Sequence, residues 1–388
     1  MTILSKQRYQ LIRDLNCEVL HPWTSSCAYN ALGTFLQSVK GSTKFFLLIY
    51  LLQNLPKKQS YQKHVLLQQL VNFCKSCLFG GFAGGTSVAC MCFLRWILGR
   101  YTPYTLGLIP GFIGGAGIFI EDNSRRETNL TLFIAMVSDL YLKVFKDEKV
   151  LEMTLTKEIL LFTTCSSLLL YCLRAFKDSY TVLWPFTPHK LPNNPERRKQ
   201  CPHSGECLED IKKTAVTFVC YGAALQCFKV LTLNFLKLFY KPSSFFKAFF
   251  KLDNLRLPFF AGLYVSLFKG VSCALVQTTG RDEAWHALPA GVVASLCYLI
   301  QPNLSLALFA LSNLSQILCK ELRRRWDLPR WYYKEIAFMV CMGLLYHARA
   351  VFPHCFPPYM FNIMDTVTVG RAEIVYGLVE KHLLIRTV

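Results

Sequence analysis

The residues best suited to chemistry are cysteine and histidine, and they fall in two groups. Cys17, His21 and Cys27 stand near the start of the chain, and Cys201, His203 and Cys207 just past its middle. Thiolate sulfur and imidazole nitrogen are the ligands zinc and copper favour, so two such half-sites could join in one centre. Neither spacing is an established zinc signature, and reduced thiols or a redox-variable pair are the competing readings. No metal or other cofactor is therefore assigned from sequence, and these six residues stand as candidates only. One acid is also conspicuous: Asp139 lies inside an apolar stretch, where a charge usually faces a protein interior or a wet cavity. Its counterpart in the second half is Asn313, and the two form the candidate buried polar site. Lys143, one helical turn beyond Asp139, offers it an internal ion pair instead.

Other motifs carry less. Cys74-Lys75-Ser76-Cys77 has the C-x-x-C form but no strand-helix-strand context for redox work. The sequons at Asn129, Asn303 and Asn313 fall within or at the edge of apolar stretches, where glycosylation is not expected. A Walker loop, a nucleophile elbow, an H-E-x-x-H pair and a dinucleotide fingerprint are all absent from the sequence. The expectation is a protein that is not an enzyme.

The elements that must position these residues are membrane helices. Hydrophobic residues make up 53% of the 388 and charged ones only 17%, against about 25% charged in an ordinary soluble domain. The apolar residues come in blocks of roughly 17–25, the length a helix needs to cross about 30 Å of hydrocarbon. Blocks at 29–52, 73–98, 104–120, 129–146, 158–176, 214–238, 258–278, 286–300, 303–319 and 335–352 give about ten candidate spans. The fold class expected is all-α, a polytopic membrane helix bundle. The first twenty residues mix Lys6, Arg8, Arg13, Asp14 and Glu18 without an apolar core, so no cleavable secretory signal is read there. A net charge of +19 is spread over short loops beside the spans. Lipid head groups, not nucleic acid, are the expected counterions. Most cysteines inside spans, among them Cys90, Cys92, Cys165, Cys172, Cys297 and Cys341, read as small hydrophobes.

The chain also repeats itself. Asn129-Leu130-Thr131-Leu132 aligns with Asn303-Leu304-Ser305-Leu306, Ser138-Asp139-Leu140 with Ser312-Asn313-Leu314, and Phe82-Ala83-Gly84 with Phe260-Ala261-Gly262. Each half has a Cys/His cluster ahead of its first span and an arginine, Arg100 or Arg281, after a later one. The expected domains are a first helical repeat over 1–176, a proline-rich basic linker over 177–213, a second repeat over 214–352 and a tail over 353–388 lying outside the membrane. Five spans per repeat would make the copies inverted. Gly84, Gly85, Gly111, Gly115, Gly262 and Gly291 are expected to pack helices closely, with self-association of the chain as a second use of such faces. The segment 241–256, with Phe245, Phe246, Phe249 and Phe250 among lysines, has the pattern of a helix lying in the head-group plane.

Several of these stretches together resemble the transmembrane protein 135 family. They are Cys17, His21-Pro22-Trp23 and Ser26-Cys27; Cys92-Phe93-Leu94-Arg95-Trp96-Ile97-Leu98-Gly99; Ser124-Arg125-Arg126; Cys201 and Cys207; and Phe268-Lys269-Gly270-Val271-Ser272-Cys273. Asp282-Glu283-Ala284-Trp285-His286-Ala287 and Ala290-Gly291 complete the set. The halves are distantly similar to the Tim17, Tim22 and Tim23 group, whose small-Gly-x-x-x-Gly step survives at Gly111 to Gly115, while Ser295 replaces the second glycine after Gly291. The resemblance implies residence in peroxisomal and mitochondrial membranes, an influence on mitochondrial fission and peroxisomal lipid metabolism, and organelle-dynamics proteins as partners. A carrier that moves fatty acids or another small lipid across the peroxisomal membrane is the alternative.

Overall fold

The computed structural model describes residues 12–13, 15–54, 63–176, 184, 186–192, 201–203, 205–240, 243, 247, 249–327 and 332–385. Helices account for nearly all of them. In chain order they are α1 (Cys17–Leu20), α2 (Cys27–Asn54), α3 (Lys63–Leu98), α4 (Ile109–Gly115), α5 (Asn123–Asp147), α6 (Leu155–Ala175), α7 (Cys207–Tyr240), α8 (Arg256–Thr279), α9 (Ala287–Ser295), α10 (Leu304–Arg325), α11 (Tyr333–Val351), α12 (Pro358–Thr368) and α13 (Arg371–Ile385). A π-helical turn, Tyr104–Leu108, leads into α4, and 3-10 turns, Ala116–Ile120 and Leu296–Leu299, close α4 and α9 in the same way.

The sequence repeat is visible at the helix ends. Both α3 and α8 stop at a glycine in the left-handed region, Gly99 at φ 68° and Gly280 at φ 67°. The N–H of each donates to the carbonyl four residues back, Gly99 to Arg95 O at 2.8 Å and Gly280 to Val276 O at 2.9 Å. A residue with a Cβ would be strained at either stop. Arg100 and Arg281 follow directly. Asn303 caps α10 by accepting the Ser305 N–H at 3.0 Å.

Four described helical stretches are long and apolar enough to cross a membrane: His64–Leu98, Asn123–Asp147, Leu155–Ala175 and Leu252–Thr279. Tyr104–Ile120 and Ala284–Leu299 are apolar but shorter. An all-α bundle stands, whereas the count of about ten spans is not established by these lengths. Large apolar side chains lie open on the surface, such as Trp96 at 80% exposure and Phe93 beside it, which suits contact with lipid better than with water.

The chain forms two compact units that cut across the sequence repeat: Met1–Glu152 with Arg330–Val388, and Met153–Pro329. In the first, α2 pairs with α3, and α4 and α5 pack on α11. In the second, α7 pairs with α8, and α9 and α10 pack on α6. The fifth helix of each sequence repeat thus serves the other half's unit, α6 in the second and α11 in the first. The expected boundaries at 176 and 352 therefore do not delimit compact bodies. The tail is not a separate peripheral piece either, because α12 packs along α2 and α13 against α1. The second repeat also opens earlier than expected, with α7 starting at Cys207, not 214.

Glycines set the crossings. An ideal Cβ on Gly111 would lie 2.8 Å from Met342 O and 3.0 Å from Gly343 Cα, and one on Gly115 would lie 2.8 Å from Met339 Cα, all on α11. On Gly291 it would lie 2.7 Å from Ser167 Cα, on α6. A Cβ on Gly85 would lie 2.8 Å from Phe35 Cβ on α2, one on Gly84 would meet Ser38 there, and one on Gly262 would meet Val219 on α7. Such closeness brings whole backbones into van der Waals contact, the main attraction available between helices in lipid.

Each unit builds its aromatic core on the borrowed helix. Phe162 of α6 is fully buried and stacks on Tyr298 at 4.7 Å. Phe338 of α11 is equally buried, 4.6 Å from Phe133. Of the expected interfacial helix, Phe245 and Phe246 lie outside the described residues, and Phe250 is exposed. Much of the 177–213 linker, with Pro185, Pro195 and Arg197-Arg198-Lys199, lies outside them too.

Candidate functional site

The six candidate ligands do not join into one centre. Each half-site gains a fourth donor from its own unit: Cys17, His21 and Cys27 meet Cys92, and Cys201, His203 and Cys207 meet Cys273. Within each group all four ligand atoms lie within 4.8 Å of one another. Cys92 is thus more than the apolar filler its place in a span suggests.

Local structure explains the first group. Ser26 stands at the N-terminus of α2, its hydroxyl accepting the Tyr29 N–H at 3.4 Å, which places Cys27 in the first turn. His21 closes α1, its N–H bonded to Cys17 O at 2.9 Å. Its Nδ1 lies 2.7 Å from Thr24 O, a carbonyl that can only accept. Nδ1 is therefore the donor there, and Nε2 faces Cys27 Sγ at 3.5 Å. Arg95 of α3 holds the strand of chain before Cys17 by donating to Asn16 Oδ1 at 2.8 Å and to Leu15 O at 2.5 Å.

The second group is assembled alike. Cys207 opens α7, where Glu209 and Asp210 favour the positive end of the helix dipole. Cys201 Sγ lies 3.7 Å from Cys207 Sγ, His203 Nε2 lies 3.3 Å from Cys273 Sγ, and Gln277 donates to Cys207 Sγ at 3.5 Å. Lys269 ties α8 to α7 through Asp210 at 2.7 Å. Burial and then the Lys269 charge push the nearby His189 below the usual imidazole range, so it is neutral at pH 7. Beside this group Arg174, at the end of α6, pairs with Asp282, and they are 4% and 1% exposed. These two lie too far apart in sequence to be read as partners there.

A cleft adjoins the first group. It holds about 990 Å³ of atom-free space, part of it open to the outside, between apolar residues such as Leu20, Val88, Met91, Leu106, Ala350 and Val379. Two arginines reach it from the C-terminal half of the chain. Arg371 lies 4.6 Å over the Trp23 ring and donates to Thr34 Oγ1 at 2.8 Å. Arg349 lies over Phe361 at 4.3 Å and Tyr376 at 4.7 Å. Glu380 approaches it only to 3.8 Å, and its buried Nε makes no hydrogen bond. Aromatic faces hold both cations in a setting where few carboxylates compete for them.

Asp139 and Asn313 lie in different units, and each makes a side-chain bond within its own helix. Asp139 Oδ2 takes the Lys143 ammonium at 2.7 Å, and Asn313 Nδ2 donates to Phe309 O at 2.8 Å. Asp139→Asn is accordingly expected to cost about 0.5 kcal/mol or less, as an i,i+4 pair does. Thermal unfolding in detergent checks this: a loss of several kcal/mol would show that the carboxylate does more than hold Lys143.

Two repeat-related units of packed helices, with long apolar spans and a Cys/His group in each, define a polytopic α-helical membrane protein. Residues 14–145 match the family described as the N-terminal cysteine-rich region of Transmembrane protein 135. This match, which holds the whole first group from Cys17 to Cys92, supports assignment to the transmembrane protein 135 family. No solved structure matches the chain.

Proposed function

We propose that the chain is a non-enzymatic membrane protein of peroxisomes and mitochondria that handles acyl lipids, binding a fatty-acyl carboxylate in the cleft of its first unit. The observation that carries this reading is the pairing of apolar walls with Arg349 and Arg371. A hydrocarbon tail gains from the walls, and a carboxylate gains charge-assisted hydrogen bonds from guanidinium groups. The resemblance to the transmembrane protein 135 family is what supports the choice of organelles and an influence on mitochondrial fission, exerted through membrane lipids and organelle-dynamics proteins. Movement of the bound lipid across the peroxisomal membrane is the further step this site would serve.

Equilibrium binding of a labelled long-chain fatty acid to the purified protein tests it. A hydrogen bond to a charged group is worth about 1.5–3 kcal/mol. Arg349→Gln and Arg371→Gln should therefore each weaken binding roughly 10- to 100-fold, while the methyl ester binds poorly to all forms. Equal affinity of the parent protein and both variants would count against the cleft as the site.

A further inference from the structure

We infer that each unit carries its own tetrahedral zinc centre, formed by Cys17, His21, Cys27 and Cys92 in the first and by Cys201, His203, Cys207 and Cys273 in the second. Structural zinc sites of the Cys3His type use bonds of about 2.3 Å to sulfur and 2.0–2.1 Å to nitrogen. Tetrahedral angles then place two sulfurs about 3.75 Å apart and a nitrogen about 3.5 Å from a sulfur. The Cys201–Cys207 separation is 3.7 Å, and the His21–Cys27 separation is 3.5 Å. His203 and Cys273, at 3.3 Å, lie close to the same edge. A disulfide needs its sulfurs about 2.05 Å apart, so these cysteines have the spacing of ligands around a common centre. Two thiols in simple contact would explain one such distance; they do not explain a histidine in each group with Nε2 turned to the sulfurs.

The surroundings of the first group fit a metal. Thr24 O holds the outer nitrogen of His21, the arrangement that fixes a ligating histidine's tautomer. Three thiolates and one zinc ion leave a net charge of −1. Tyr101 OH lies 3.3 Å from Cys17 Sγ, and Arg95 lies 5.1 Å from the centre of the Tyr101 ring, so a donor and a cation stand beside that charge. In the second group Gln277 donates to Cys207 Sγ at 3.5 Å.

The duplication is an independent argument. The third ligand opens the first long helix of each pair, and the fourth lies on its partner helix, 65 positions later in one half (27 to 92) and 66 in the other (207 to 273). The first two ligands are spaced quite differently, as C-x3-H-x5-C and C-x-H-x3-C. The same four donors are thus assembled twice from unlike local sequence. Each centre would clasp the segment before a helix pair to both of its members, with zinc favoured over octahedral metals by the soft ligand set.

Metal analysis of the full-length chain, purified in detergent without chelator, should find two zinc ions per chain. Cys27→Ser and Cys207→Ser should each remove one, and Cys172→Ser, outside both groups, none. Cobalt(II) supplied in place of zinc should give the sulfur-to-metal charge-transfer and ligand-field bands of a tetrahedral sulfur-rich site, which tests the parent chain even where a variant fails to fold. A parent chain with neither zinc nor the cobalt bands, or one with a Cys201–Cys207 disulfide on peptide mapping, would overturn the inference.

Discussion

Arg174→Ala should destabilise the second unit by about 3–5 kcal/mol, the usual cost of leaving one member of a buried ion pair without its partner. Both residues are almost wholly out of solvent, so Asp282 cannot turn to water when the guanidinium goes. The pair joins the end of α6 to the turn after α8, and it lies beside His203 and Cys273. Losing it should therefore loosen the second Cys/His group as well as the helix end. Asp282→Ala should be about as harmful. The double variant Arg174→Met with Asp282→Leu should be milder than either, because it removes both desolvated charges together. Thermal unfolding of the three proteins in one detergent gives the comparison. Single variants that melt with the parent would show that the two charges are not a closed pair.

Gly111→Leu should be strongly damaging to the first unit. The new Cβ would already crowd Met342 O, Tyr346 Cβ and Gly343 Cα, two of them backbone atoms that no rotamer change can move. Overpacking commonly costs about 1–3 kcal/mol, and separating α4 from α11 belongs at or above the top of that range. A contrast is available at Gly270, where the nearest atom to an added Cβ is Ile211 Cδ1 at 3.9 Å. Gly270→Ala should be neutral or stabilise α8 by up to about 1 kcal/mol. The yield of monodisperse protein and its melting temperature should order the set as Gly270→Ala, parent, Gly111→Leu. A Gly111→Leu protein as stable as the parent would contradict the close crossing of α4 and α11.

What could be read along the chain was what is local. Apolar blocks marked the helices, and the pairing of Phe82-Ala83-Gly84 with Phe260-Ala261-Gly262 marked equivalent places on α3 and α8. Six of the eight Cys/His ligands stood out because they cluster in short polar segments. Cys92 and Cys273 did not, since a cysteine inside an apolar helix looks like any small hydrophobe. Comparing the 27-to-92 spacing with the 207-to-273 spacing would have found them.

The exchange of fifth helices was hidden for a different reason. Lys157-Glu158-Ile159 and Lys334-Glu335-Ile336 open α6 and α11 and show that these helices correspond. Sequence similarity identifies equivalent elements without saying which half each packs in. That choice is made by contacts far apart in the chain, such as Arg126 with Glu335 at 2.8 Å and Ser166 with Tyr264 at 2.5 Å. The cleft was hidden likewise, because Arg371 meets Trp23 and Thr34 from the start of the chain only after folding.

Photoaffinity labelling with a diazirine-bearing fatty acid in reconstituted membranes tests the lipid-handling account most directly. It predicts labelled peptides from the cleft walls, around Met91, Leu106, Ala350 and Val379, with the label displaced by excess unmodified fatty acid and lost in Arg371→Gln. Label confined to outward-facing residues such as Phe93 and Trp96, not displaced by the competitor, would contradict the account and leave the cleft without a lipid.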